Sequence, residues 1–214
     1  MSFSSLEISP KTLGLTFLAW HNWLRKGQKI YSNYRLYKIP YVHITSLDHL
    51  DAMKNGFCCV DEMWSIVDAR TTSTKKNKIV GDILLKSRKR ELTYVFTAQL
   101  LDLLDKRVRK LIDFTAYPIM NRTETVCKIL IFRTGFPRED GLMKTFYFKT
   151  PLVFDFYDTE EEISMEVESG EEPKIIFQED KDTPPKVFDT WEDANRAGEK
   201  YWEENYAKLA PLIL

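Results

Sequence analysis

The sequence predicts an α/β fold with a mainly parallel central sheet. Apolar runs of strand length alternate with segments of helical spacing as far as Pro118. The run from Phe57 to Val60 is unbroken, as a strand buried on both faces requires. Two carboxylates, Asp61 and Glu62, follow it at once. A buried parallel strand that ends in a pair of acids delivers them where α/β sheets bind ligands.

Each element has its own local reason. Leu13, Phe17, Leu18, Trp20 and Leu24 recur at roughly helical spacing, and Arg25-Lys26-Gly27 makes a basic, glycine-ended stop. Lys29 to Leu36 alternates and is aromatic, which suits a strand. Pro40 opens a loop, and Leu47 to Met53 reads as a short helix with Asp48 as its N-cap. Met63 to Ala69 starts another helix. Thr71 to Lys78 is polar and basic and reads as an exposed loop. Helical periodicity returns from Ile79 to Lys89, and Leu92 to Thr97 reads as a second buried strand ending in Ala98-Gln99. Leu100 to Lys110 is strongly helical until Pro118 breaks it off.

The texture then changes. Val126 to Arg133 and Lys144 to Phe156 are β-rich and separated by Gly135-Phe136-Pro137 and Gly141, which predicts an antiparallel hairpin added at the sheet's edge. Beyond Thr159 the chain is acidic and loop-like as far as Pro184-Pro185. A final helix starts near Thr190, where Thr190 and Asp193 form a capping box. Trp191, Ala194, Tyr201, Trp202 and Leu209 lie near one face of it, so the helix is expected to dock on the body. The division expected is a core over residues 1–159 and an acidic linker with a docking helix over residues 160–214.

At 214 residues and 43% hydrophobic, the chain is long enough for one sizeable core. The net charge of -1 hides an asymmetry: from Glu160 onward there are 16 acids and 6 bases, leaving 16 acids and 25 bases in the residues before it. A basic body attracts polyanions. Cys58, Cys59 and Cys127 fall in apolar runs without ligand spacing and read as core thiols of a reducing compartment. His21, His43 and His49 show no ligand spacing either, so no structural metal is expected. The sequence carries no signal-peptide pattern and no apolar run of membrane-spanning length, which predicts a cytoplasmic protein, in the host cytoplasm if viral.

In this order the pieces resemble P-loop ATPases of the additional-strand class. More narrowly they resemble the viral genome-packaging and zonula-occludens-toxin-like ATPases, relatives of bacterial and archaeal DNA pumps. The resemblance spans about Lys11 to Thr159. It rests on Lys11-Thr12-Leu13, the stretch Lys29 to Tyr34, Val60-Asp61-Glu62, Ser87 to Arg90, Thr97-Ala98-Gln99, Asp105 to Arg109 and Tyr157-Asp158-Thr159. It implies a three-layer P-loop NTPase with a mainly parallel sheet, an added antiparallel hairpin and a C-terminal helix, using ATP and Mg²⁺.

The resemblance assigns Lys11 to the phosphates and Thr12 with Asp61 to Mg²⁺. Glu62 becomes the residue that activates water, and Gln99 the polar sensor of the γ-phosphate or that water. Arg107 and Arg109 resemble an arginine finger inserted into a neighbouring subunit, since transition-state charge needs a planar, permanent cation. Two residues apart on a helix they point to different faces, so one at most serves, and Arg109 is preferred. Lys75, Lys76 and Lys78 have the chemistry for nucleic-acid phosphates, the alternative being an ordinary solvated loop, and Arg88 and Arg90 are candidates either for phosphate sensing or for contact with the nucleic-acid backbone.

The departure is at the front. The phosphate loop needs two glycines, and Ser5 and Pro10 hold their places. Proline has no N–H to donate. Either an intact loop lies upstream of the recorded start, or the site binds nucleotide weakly. The function implied is an ATP-hydrolysing motor that translocates double-stranded DNA without sequence preference. It would be a homo-oligomeric ring, with a capsid portal as a further partner. Two alternatives stand beside it: a phage assembly or extrusion ATPase, and a non-catalytic nucleotide-fold scaffold that binds DNA or a capsid protein. The acidic tail is either a solvated linker or a cover over the basic DNA path.

Overall fold

Helix α1 (Pro10–Lys26) lies between two sheets, and the rest of the fold is arranged around it. A computed structural model describes residues 10–63, 75–99, 104–135, 141–166 and 168–209. The first sheet has six strands in the order β4 (Leu92–Phe96), β3 (Gly56–Val60), β1 (Ile30–Ser32), β2 (Tyr41–His43), β8 (Ile175–Phe177), β9 (Lys186–Phe188). Its first four strands run parallel, and β8 and β9 extend it antiparallel. The second sheet is an antiparallel meander of β5 (Phe114–Met120), β6 (Val126–Arg133) and β7 (Leu142–Lys149).

The burial follows from this sandwich. Leu13, Leu15, Phe17, Ala19, Trp20 and Trp23 are all buried, so α1 is apolar on more than one stripe, as a helix covered on two sides must be. Gly14 lets the meander approach closely, with Ile129 and Pro118 against the helix, and Phe17 stacks on Phe148 at 4.1 Å. In β3 every residue is buried. Phe57 and Cys59 face the cluster around α1, while Cys58 and Val60 face a second cluster that holds Leu50 of α2 (Leu47–Ala52) and Ile83 of α3 (Lys75–Lys86). That double coverage is why the run carries no polar residue. All three cysteines are free and buried, and burial pushes the Cys127 thiol up to about 11.

Several expectations change. The antiparallel part is a separate three-stranded sheet across α1, and not a hairpin on the main sheet's edge. Its first strand, β5, contains Pro118, which breaks no helix. Pro118 sits in an edge strand, where the missing N–H costs no ladder bond. The helix expected from Leu100 is described only as α4 (Lys106–Lys110), residues 100–103 lying outside the described set. Lys75, Lys76 and Lys78 belong to the first turn of α3 and not to a loop. Residues 71–74, and 64–70 of the expected helix, lie outside the described residues. Ser46, and not Asp48, caps α2. β4 is only partly buried, being paired on one side alone among the described residues. The segment expected as linker supplies β8 and β9 to the main sheet.

Helix α5 (Trp191–Leu209) docks as expected. The Trp202 indole donates to the Lys38 carbonyl at 2.7 Å, and the Trp23 indole donates to Asn195 Oδ1 at 2.7 Å. Ala194 and Trp202 are buried, while Leu209's side chain lies outside the description. Thr190 Oγ1 accepts from the Asp193 N–H and donates to its carboxylate, a cap of the expected kind.

Candidate functional site

Three parallel strands end together beside the first turn of α1. After β1, Asn33 turns its side-chain amide onto the backbone of Asp61: Oδ1 accepts from the Asp61 N–H at 2.8 Å, and Nδ2 donates to the Asp61 carbonyl at 3.0 Å. After β4, Thr97 donates its hydroxyl to Asp61 Oδ1 in a short bond, and its Oγ1 accepts from the Glu62 N–H at 3.0 Å. Backbone bonds from Met63 to Thr97 and from Thr97 to Val60 close the same corner. Asp61 is buried at 6% exposure, its backbone fixed by Asn33 and its carboxylate aimed by Thr97.

From α1, Thr12 donates to the other oxygen, Asp61 Oδ2, at 2.9 Å. Lys11, one residue earlier, donates Nζ to the carbonyls of Ala98 at 3.0 Å and Gln99 at 3.2 Å. Pro10 occupies the first helical position, where a missing N–H breaks no helix bond. Ser5 lies outside the described residues. Glu62 follows Asp61 with φ at +52°, left-handed backbone that a glutamate adopts at a cost of roughly 1–2 kcal/mol.

Lys11, Thr12, Asp61, Glu62 and Gln99 line one cavity of about 600 Å³. A strap running from Tyr157 to Ile163 forms its far wall and puts Asp158, Glu161 and Glu162 into it. Arg35 holds the strap by its backbone N–H on Glu161 Oε2 at 2.7 Å, and Lys181 holds Asp158 at 3.1 Å. Burial raises the Glu161 carboxyl above its ordinary value, whereas the Glu160 N–H and then Lys181 lower Asp158. Tyr157 also faces the cavity. Burial, and then the Asp61 carboxylate, push its phenol well up, and its hydroxyl has no hydrogen-bond partner among the described residues. Tyr34 closes the floor, its hydroxyl 3.0 Å from Thr16 Oγ1.

The fold that makes this site is similar to that of a solved structure, the crystal structure of the N-terminal domain of zonular occludens toxin from Neisseria meningitidis. The two superpose with a TM-score of 0.50 at 18% identity, over 69% of this chain and 92% of that one. At that identity the likeness is one of fold. No family model and no curated protein matches the sequence. The chain is a mixed α/β protein with a mainly parallel sheet and an added antiparallel sheet, consistent with a P-loop-like fold.

The remaining sequence-predicted residues lie elsewhere. Arg109 is half-buried on α4, and Arg107 lines a second cavity of about 430 Å³ with Asn77, Asp82 and Lys110. Neither lines the cavity at Asp61. Arg90 pairs with Asp51 at 2.8 Å and Arg88 with Asp113 at 3.4 Å, so both guanidiniums tie down the ends of neighbouring elements. Lys78 is exposed on α3. Asn33 and Thr97 went unassigned in the sequence, although both stand in the quoted motif stretches. A polar residue directly after each of two strands flanking the acidic one was the available signal. Among the described residues, no helix is long and apolar enough to cross a membrane.

Proposed function

We propose that the chain binds a magnesium–nucleoside triphosphate in the cavity at Asp61 and hydrolyses it. The observation that carries this is the Thr12–Asp61 hydrogen bond, which joins a helix start to a strand end inside a cavity of about 600 Å³. A hydroxyl and a carboxylate in contact are the hard oxygen pair that suits Mg²⁺, and the volume suits a nucleotide.

In this reading Thr12 and Asp61 hold the metal, and Lys11 exchanges two carbonyl acceptors for phosphate oxygens. Bound Mg²⁺ supplies neutralisation of charge on the phosphates. Thr97 and Asn33 keep Asp61 aimed, Glu62 orients the attacking water, and Gln99, three residues beyond β4 in the lining of the same cavity, senses it. Arg107 and Arg109, off the cavity in their own copy, are left to act in a neighbouring subunit's site, with Arg109 preferred. The coupled work is movement of double-stranded DNA by a ring of copies, Lys75, Lys76 and Lys78 lying toward its phosphates. The likeness in fold to the zonular occludens toxin domain favours the phage assembly or extrusion form of this motor over the packaging form.

The test is ATP turnover with and without double-stranded DNA. Turnover is expected, DNA is expected to raise it, and Glu62→Gln is expected to lower it by about 10²-fold or more. Absence of turnover in the wild-type chain, with nucleotide binding retained, leaves the non-catalytic scaffold.

A further inference from the structure

The face of the three-stranded sheet turned away from α1 has a composition of its own. Cys127, Ile129 and Phe148 point into the core against α1, so the alternate residues of each strand point outward. The register sets them in rows: Tyr147, Lys128 and Ile119 in one, Thr145, Leu130 and Tyr117 in the next, and, past a register shift between Ile131 and Phe132 that brings Leu142 opposite Phe132, Leu142, Phe132 and Thr115 in a third. Tyr147 is 56% exposed and Ile119 51%. The Lys128 ammonium stands 5.5 Å from the centre of the Tyr147 ring, and the Tyr117 and Phe132 rings meet edge to face at 5.6 Å. Lys128 and Lys149 stand on this face, Arg133 and Lys144 on the other, and the three strands contain no aspartate or glutamate.

We propose that this face binds single-stranded nucleic acid without sequence preference, bases stacking on Tyr147 and Phe132 while Lys128 and Lys149 meet the phosphates. An exposed ring, Tyr147, and a half-buried one, Phe132, on a sheet face that also carries Lys128 and Lys149 and no carboxylate supply the two components of single-strand recognition, a stacking platform and a cation for the backbone. Lys128 decides between occupants. An ammonium on the middle strand of an apolar field is costly to bury in lipid or against a second copy of the same face, where it would meet its own kind. Beside stacked bases it meets phosphate instead. A duplex keeps its bases stacked on one another and offers the rings nothing. The surface lies across α1 from the phosphate cavity, and its binding does not need nucleotide turnover.

The test is fluorescence anisotropy of the full chain with a labelled oligothymidylate of about 20 nucleotides at about 50 and 200 mM salt. Tyr147→Ala is expected to weaken binding about tenfold and Tyr147→Phe to keep it, since the ring alone stacks. Lys128→Gln is expected to weaken it and to reduce the slope of log affinity against log salt by about 0.7. Leu85→Ser, on exposed α3, is expected to change nothing. The proposal is overturned if the wild type does not bind the oligonucleotide at the lower salt, or if Tyr147→Ala and Lys128→Gln bind it as the wild type does. It is also overturned if those substitutions abolish only co-sedimentation with phosphatidylserine vesicles or only self-association. Unfolding midpoints unchanged by the Tyr147 substitutions, at an exposed position, separate loss of contact from loss of fold.

Discussion

Asn33 does for Asp61 what a neighbouring strand does for a strand interior. Its amide satisfies both backbone groups of a residue that has left the ladder, at 2.8 and 3.0 Å. Asn33→Ala strands a buried N–H and a buried carbonyl at once, so a loss of roughly 1–3 kcal/mol is expected. Urea unfolding measures that loss. A parallel titration with magnesium–nucleotide is expected to show weaker binding, because the backbone that aims the carboxylate loses both of its side-chain bonds. At this scale the sequence was legible where chemistry is local. Asp61 and Glu62 stand side by side at the end of an apolar run, and Lys11-Thr12 begins a helical one. Asn33 was not legible, because its task is set by a strand 28 residues away. Arg90 was misleading for the same reason: nothing near it in sequence announces the Asp51 carboxylate that engages it.

Among the elements, α1 and α5 show how much rides on close approach. A Cβ at Gly198 would lie 2.8 Å from Pro40 Cδ and 2.9 Å from Trp23 Cζ2, both on the body against which α5 docks. Gly198→Val is therefore expected to cost about 1–3 kcal/mol by overpacking, despite a better helix residue. Gly81→Ala, in α3 with open space around it, is expected to gain up to about 1 kcal/mol. Thermal unfolding of the pair checks the opposite signs. Parallel strands β1, β3 and β4 and the docking helix were legible from period and from tryptophans, whereas the parallel strand β2, three residues long, lies in the stretch read as a loop after Pro40. The meander's first strand was hidden by Pro118, which local rules read as a breaker and the fold uses at an edge. β8 and β9 were hidden by brevity, three residues each inside an acidic stretch.

Taken whole, the molecule folds its charge asymmetry back on itself. The acidic region continues from the strap that walls the cavity and returns to the main sheet beside β2. Its carboxylates then oppose the polyanion that Lys11 and α1's first turn favour. Replacing Glu161 and Glu162 together by glutamine is expected to tighten nucleotide binding several-fold, on the order of 1 kcal/mol, with the gain shrinking as salt rises. Isothermal titration at two ionic strengths checks both parts. Deletion from Glu160 onward is a poor substitute for that experiment, because it removes two strands with the charges.

Glu62 stands in a backbone conformation that favours glycine or asparagine, with φ at +52°. With Glu62 orienting water, as proposed above, stability and turnover would pull in opposite directions at one codon. A lineage released from the need to hydrolyse nucleotide would gain by letting this glutamate drift. Sister genes that keep it would be marking an engine still in service, and those that have exchanged it for glycine would record when the work stopped.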